Sequence, residues 1–190
     1  MMDTRHRSAK ADAIQWAREM LERDAIIVDF ETTGIRDAEI VQIGMIDIQG
    51  NVLMDTLIKP TRRIPMDAIR IHGITNEMVK DSRGFAEVFE EFAELLSPKI
   101  AVGYNVSYEQ GILKDELLRH RLTPIAPVEW TCAMKAYARY HGTWNPKYRS
   151  YKWHSLTNAC TQQQIMVENA HQALGDCLMT LELMRKMAQS

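Results

Sequence analysis

Apolar positions along the chain change their spacing several times, and each change marks an element. Residues 1–8 are polar without an apolar period and read as a disordered tip. Ala13, Ile14, Ala17, Met20 and Leu21 then recur at helical spacing, with Ser8 placed as the N-cap. Ala25 to Phe30 is a short, largely β-branched run that gives way to Thr32, Thr33 and Gly34, as a buried strand entering a turn does. Residues 39–48 and 51–58 flank a Gln-Gly-Asn tip and predict a hairpin that Lys59-Pro60 terminates.

Helical spacing returns after Pro65, most clearly in Phe85, Val88, Phe89, Phe92, Leu95 and Leu96, and Ile100 to Gly103 then reads as strand. Helices are expected over 106–119, 133–140, 155–163 and 170–187, with a short strand over 128–131. A three-stranded meander followed by alternating strands and helices predicts an α/β fold, a mixed five-stranded sheet with helices on both faces. The 190 residues suit one domain, placed at 24–190 behind a tip and helix at 1–23.

Several acids break this pattern. Asp29 and Glu31 end an apolar strand, and the period of two sends both carboxylates to one face while Phe30 points away. Glu109 has Ile112 and Leu113 as its i+3 and i+4 neighbours, which puts it on the apolar side of its helix. Asp176 is surrounded at helical spacing by Ala173, Met179, Thr180 and Leu183. Acids are costly to bury unpaired, so four of them set against the local hydrophobic pattern call for a cation. Oxygen donors without cysteine suit hard cations, Mg²⁺ or Mn²⁺. Two such ions about 3.5 to 4 Å apart can activate a water and stabilise a leaving oxygen, as phosphodiester cleavage requires. His171 is a candidate general base, provided that it precedes the regular helix, because His171 and Asp176 would otherwise be about 140° apart. Asn169 is a credible cap for a helix starting just beyond it.

Composition narrows the setting. Three widely spaced cysteines without CxxC or Cys/His pairing point to a reducing, cytoplasmic location. No stretch approaches the roughly 20 apolar residues of a membrane helix, and the start lacks the apolar core of a signal peptide. The formal net charge of -2 announces no nucleic-acid partner, but the distribution does more. Trp130 to His154 holds Lys135, Arg139, Lys147, Arg149 and Lys152, contains no acid, and carries seven of the chain's aromatic residues. Interleaved rings and cations are the composition of a single-strand binding surface. Trp130 and Tyr137 are expected to pack in the core; Trp144, Lys147, Tyr148, Arg149 and Lys152 are candidates for nucleic-acid contact.

Three motifs in order, IIVDFETTG at 26–34, GYNVSYEQGIL at 103–113 and HQALGD at 171–176, together with IHGIT at 71–75, resemble the DEDDh group of 3'-5' exonucleases. That group includes proofreading subunits of bacterial replicative polymerases. The H-x4-D spacing matches its histidine branch. The resemblance implies a ribonuclease H-like fold, with Asp29, Glu31, Glu109 and Asp176 holding two Mg²⁺ or Mn²⁺ ions and His171 deprotonating the attacking water. It further implies that Thr32, Thr33 and Gly34 receive the 3'-terminal nucleotide, with His72, Asn105 and Tyr108 nearby. The chain departs from the group at Tyr108-Glu109, where Phe-Asp is usual. The fourth acid is thus one methylene longer, and displacements near 1 Å can cost about 100-fold in rate. Asp115 is a poor substitute, being about 120° off-side. The expected partner is nucleic acid, with single-stranded DNA favoured over RNA and no membrane. A polymerase or a second copy of the chain is left open. The alternative is a nucleic-acid-end binding module whose Glu109 has cost it turnover; an acidic structural domain leaves the four acids unexplained.

Overall fold

A computed structural model describes residues 2–97, 99–125, 128–168 and 170–190, with side chains from residue 7 onward. The elements run α1 (Met2–Glu22), β1 (Ala25–Thr32), β2 (Ile40–Asp47), β3 (Val52–Leu57), α2 (Met66–His72), α3 (Phe85–Leu96) and β4 (Ile100–Gly103). They continue with α4 (Val106–His120), β5 (Glu129–Cys132), α5 (Ala133–His141), β6 (Trp144–Asn145), β7 (Ser150–Tyr151), α6 (Leu156–Gln162) and α7 (Ala173–Ala188). Five strands form one sheet in the order β3-β2-β1-β4-β5. The pairs β1–β2 and β2–β3 are antiparallel, whereas β1–β4 and β4–β5 are parallel, so the sheet is mixed as the pattern predicts.

Alternation along β1 divides the core into two layers. Ala25 and Ile27 join Val102, Tyr137, Leu183 and Met184 on the side covered by α1, α5, α6 and α7. Ile26, Val28 and Phe30 join Phe85, Val88, Phe92, Ile112 and Leu113 on the side of α3 and α4. A smaller cluster of Val41, Ile64, Ala68, Ile74 and Val79 seats α2. Among the described residues, no helix is long and apolar enough to cross a membrane.

Two expectations are corrected. The helix does not start after Ser8: α1 begins at Met2, and Ser8 lies inside it. No proline or glycine interrupts residues 2–22, so nothing in the sequence stops the helix from extending over its polar end. The segment around 144–151, assigned no element, pairs Trp144 with Tyr151 and Asn145 with Ser150 in a two-stranded ribbon. The proposed cap Asn169 lies outside the described residues; α7 starts at Ala173 behind Gln172, whose side chain makes no cap bond.

The contact that sets α7 on the sheet is made by a residue without a side chain. A Cβ on Gly44 would lie 2.5 Å from the Ala173 carbonyl carbon and 2.6 Å from the Leu174 nitrogen, so the helix backbone occupies the place of a strand side chain. Two residues away on the same face of β2, the Gln42 side-chain oxygen accepts the Ala173 N–H at 3.1 Å and its amide donates to Asp55 at 2.8 Å. The free N–H of the helix start is thereby satisfied from the sheet. Cys177, one turn further on, is fully buried and contacts the Gly44 carbonyl oxygen through its Sγ at 3.3 Å.

Two glycines therefore have opposite consequences. Gly44→Ala should destabilise the fold by about 1–3 kcal/mol, because the obstruction is backbone and not a movable side chain. Gly111→Ala, inside α4 with open space at its Cβ position, should stabilise by about 0.5–1 kcal/mol through helix propensity. Urea denaturation of both variants measures the difference; equal effects would remove the close packing at Gly44.

Candidate active site

The first strand delivers its acids where its pairing changes. Asp29 sits opposite Gly44 in the β1–β2 register, and Glu31 opposite Gln42, after which the register shifts between Glu31 and Thr32. A bulge at a strand end turns the chain and re-aims its side chains. Because Gly44 admits α7, Asp176 in the first turn of that helix comes to the same face. One carboxylate oxygen each from Asp29, Glu31 and Asp176 lies within 4.8 Å of the others.

Glu109 approaches from α4, whose N-cap position is Asn105 directly after β4. It is 3% exposed, and its Oε2 has no hydrogen-bond partner among the described residues. Glu109 is outside the tight trio, but its charge acts on Asp29. Gly103, at the end of β4, gives it room: a Cβ there would lie 3.2 Å from Glu109 Oε2.

Crowding raises the whole set. Burial, then the charges of Asp176, Glu109 and Glu31, push the Asp29 carboxyl well above its usual range. Burial and Asp176 lift Glu31 to about 7. Burial lifts Glu109 to about 8, countered in part by its own backbone N–H and that of Asn105. Asp176 is raised by burial and held back by the His171 backbone and charge. None of the four acids forms a salt bridge among the described residues. All donors are oxygens, one is buried without a partner, and the charges repel: this set fits a hard divalent cation.

His171 precedes α7, on exposed backbone with φ 63°, and its N–H donates to Asp176 Oδ1 at 3.3 Å. The condition for bringing it to Asp176, a position off the regular helix, is therefore met. Thr32 Oγ1, Tyr108 OH and the Gly34 carbonyl oxygen lie within hydrogen-bond distance of one another, at 2.6, 2.7 and 2.8 Å, and the carbonyl accepts from the hydroxyl pair. That trio joins the β1 turn to α4. Thr33 is used differently: its Oγ1 accepts the Glu39 N–H at 2.9 Å and closes the 33–39 loop. Asn105 is exposed and makes no side-chain cap bond.

His72 ends α2, where Gly73 takes φ 76° and closes the helix. In this left-handed region a side chain would be strained. His72 Nδ1 accepts the Ile74 N–H at 3.0 Å, and its buried Nε2 faces the Thr32 backbone. Burial lowers the His72 pKa, with the Thr32 backbone opposing and the charge of His171 adding. Sequence reasoning did not single out Gly44 and Gln42, which position Asp176. A lone glycine in an otherwise buried strand was the available signal.

The Exonuclease family (RNase_T) matches residues 26–184, which contain all the acids described. The chain is 37% identical over 182 residues to an uncharacterized exonuclease, CP81, of Escherichia phage 186, covering 92% of this chain and 93% of that protein. It is 32% identical over 165 residues to the DNA polymerase III subunit epsilon of Treponema pallidum, covering 84% of this chain and 74% of that one. Among solved structures it is similar to exonuclease X in complex with 5' overhanging duplex DNA, with a TM-score of 0.63 and 28% identity over 87% of this chain and 92% of that one. With a ribonuclease H-like sheet, acids gathered on β1, α4 and α7 and a histidine before α7, the chain belongs to the Exonuclease family, as a hydrolase of the DEDDh type.

Proposed function

We propose that the chain removes nucleotides from the 3' end of single-stranded or frayed DNA, releasing nucleoside 5'-monophosphates. The observation that carries this reading is the convergence of Asp29, Glu31 and Asp176 within 4.8 Å, with the orphaned Glu109 oxygen beside them. DNA is favoured because the relatives include a DNA polymerase subunit and the similar exonuclease X structure holds DNA.

Asp29, Glu31, Glu109 and Asp176 would hold two Mg²⁺ or Mn²⁺ ions. Bound there, the ions supply Lewis-acid polarisation of the phosphate and a water of lowered pKa. His171 accepts the proton of the attacking water; its place off the helix leaves the ring exposed for that task. Water oxygen bonds to phosphorus, the bond from phosphorus to the 3' oxygen breaks, and that oxygen leaves protonated on the shortened strand. Gly34, Thr32 and Tyr108 form the receiving surface for the terminal nucleotide. His72 offers one more polar contact beside Thr32, and exposed Asn105 another. Thr33 supports that surface by fixing its loop.

A 5'-labelled DNA oligomer incubated with Mg²⁺ or Mn²⁺ should yield a ladder shortening from the 3' end, faster than its RNA counterpart. The ladder should vanish with EDTA or in Asp29→Ala. Retained binding without cleavage would favour an end-binding module instead. Glu109→Gln should lower the rate about 100-fold and Glu109→Asp should retain activity, measured as kcat on the same oligomer; a fully active Glu109→Gln would remove Glu109 from the set.

The raised carboxyls also predict a pH dependence. Glu31 near 7 and Glu109 near 8 hold protons in the folded state that the unfolded chain has lost above about pH 4.5. The metal-free protein should therefore lose stability as pH rises from about 5 to 8. Thermal melts should show Tm falling by several degrees over that window, with Mn²⁺ restoring it at pH 8 far more than at pH 5. Asp29→Asn should raise the metal-free Tm at pH 8 and abolish the Mn²⁺ response.

A further inference from the structure

The ribbon between α5 and α6 has no part in the site described above. Its tip has a set shape: Asn145 Oδ1 accepts the backbone N–H groups of Lys147 at 3.1 Å and Tyr148 at 3.4 Å, and Arg149 closes the turn with φ 49°. Lys152 N–H donates to the Thr143 carbonyl at 2.8 Å and extends the pairing. This geometry displays large rings instead of burying them. Tyr148 is 69% exposed, Trp153 60% and Trp144 41%. Trp144 is propped edge-on against Tyr151, with ring centroids 5.4 Å apart. Tyr137 and Tyr140, from the same aromatic-rich segment, are buried in the core, so the exposure is confined to the ribbon.

Lys147, Arg149 and Lys152 have no carboxylate partner among the described residues. Trp130 to His154 contributes five cations and no acid, leaving 18 basic against 25 acidic residues elsewhere. The ribbon is a cationic projection on an anionic body. A membrane surface of anionic lipid would repel that body. A duplex would offer the cations its phosphates but give the three ring faces nothing to stack on, whereas unpaired bases stack on such faces. Asn145, Tyr148, Ser150, Tyr151, Lys152 and Trp153 line a groove of about 450 Å³, within the range of small-ligand sites. The root of the ribbon is fixed at the active-site end of the sheet: Tyr104 OH donates to the His154 carbonyl at 2.7 Å. Tyr104 lies between β4 and Asn105, at the start of the helix that carries Glu109.

We propose that residues 144–153 form a platform for single-stranded DNA, gripping the strand on the 5' side of the nucleotide being removed. Tyr148, Trp144 and Trp153 stack on bases, and Lys147, Arg149 and Lys152 follow the phosphates. The position on the 5' side rests on the exonuclease reading; the affinity for a single strand does not.

Fluorescence anisotropy of a labelled dT20 strand, measured in the Asp29→Asn background, isolates binding from cleavage. Tyr148→Ala should weaken binding about 5-fold or more, and Tyr148→Phe should retain it. Lys147→Gln with Arg149→Gln should reduce the slope of log affinity against log salt by about 1.4, two phosphates at about 0.7 each. In the active protein, Tyr148→Ala should lower kcat/KM for dT20 more than for dT3. Unchanged affinity, salt slope and length ratio would overturn the platform. Equal sensitivity of a blunt duplex to Tyr148→Ala would overturn the single-strand assignment. Ribbon-dependent binding by a protein that cleaves neither length would support the platform and sink the exonuclease reading.

Discussion

The backbone of α7 lies against β2 where Gly44 has no side chain, and the placement of the acids depends on that contact. Asp29 is paired across the sheet with Gly44, so the first turn of α7 enters beside the strand position that carries the carboxylate. Asp176 then has only to face the sheet to reach Asp29 and Glu31. Gln42 holds the same turn by accepting the Ala173 N–H. A larger residue at 44 would lift the helix, and with it Asp176, away from Asp29 and Glu31 by about the thickness of a methyl group. Catalytic geometry is sensitive on that scale.

That arrangement concentrates negative charge in a place with little water, which opposes folding. Two apolar layers offset the cost. β1 belongs to both, with Ile27 packed toward α7 and Val28 and Phe30 toward α3, so the strand that bears the acids is held on both faces. The charged end of β1 is thus a continuation of its buried end, with two side chains changed from apolar to acidic. A divalent cation removes the repulsion that the fold tolerates without it, which links ligand binding to stability. His171 is organised differently: it stands on exposed, left-handed backbone, tied to Asp176 through its N–H. The acids are fixed by rigid elements, and His171 by a local bond to one of them.

Much of this was legible in the sequence because it depends on short-range periodicity. The alternation in IIVDFETTG puts both acids on one face, and the apolar neighbours of Glu109 and Asp176 reveal that these side chains turn inward. The need for His171 to leave the regular helix followed from 100° per residue alone. Other features depend on tertiary contact and left weaker traces. Gly44 is visible only as a glycine in a buried strand; that a helix backbone fills the space beside it is a fact of packing. That Glu109 falls outside the trio depends on how its helix and side chain are directed, which the sequence does not specify. The β6–β7 ribbon, with two residues per strand, is too short for any period to register. Its Asn145 and Arg149 turn chemistry was the trace available. At the amino end, the polar residues before Ser8 gave no apolar period, yet the helix extends over them because helix formation does not require one.

The central claim is that the four acids form a divalent-cation site. A crystal grown with Mn²⁺ at about pH 8, measured at a wavelength where manganese scatters anomalously, tests it most directly. The account predicts an anomalous peak ligated by Asp29, Glu31 and Asp176, and a second peak sharing Asp29 and reached by Glu109. Carboxyl groups bonded to one another, with no anomalous density between them at saturating Mn²⁺, would contradict it.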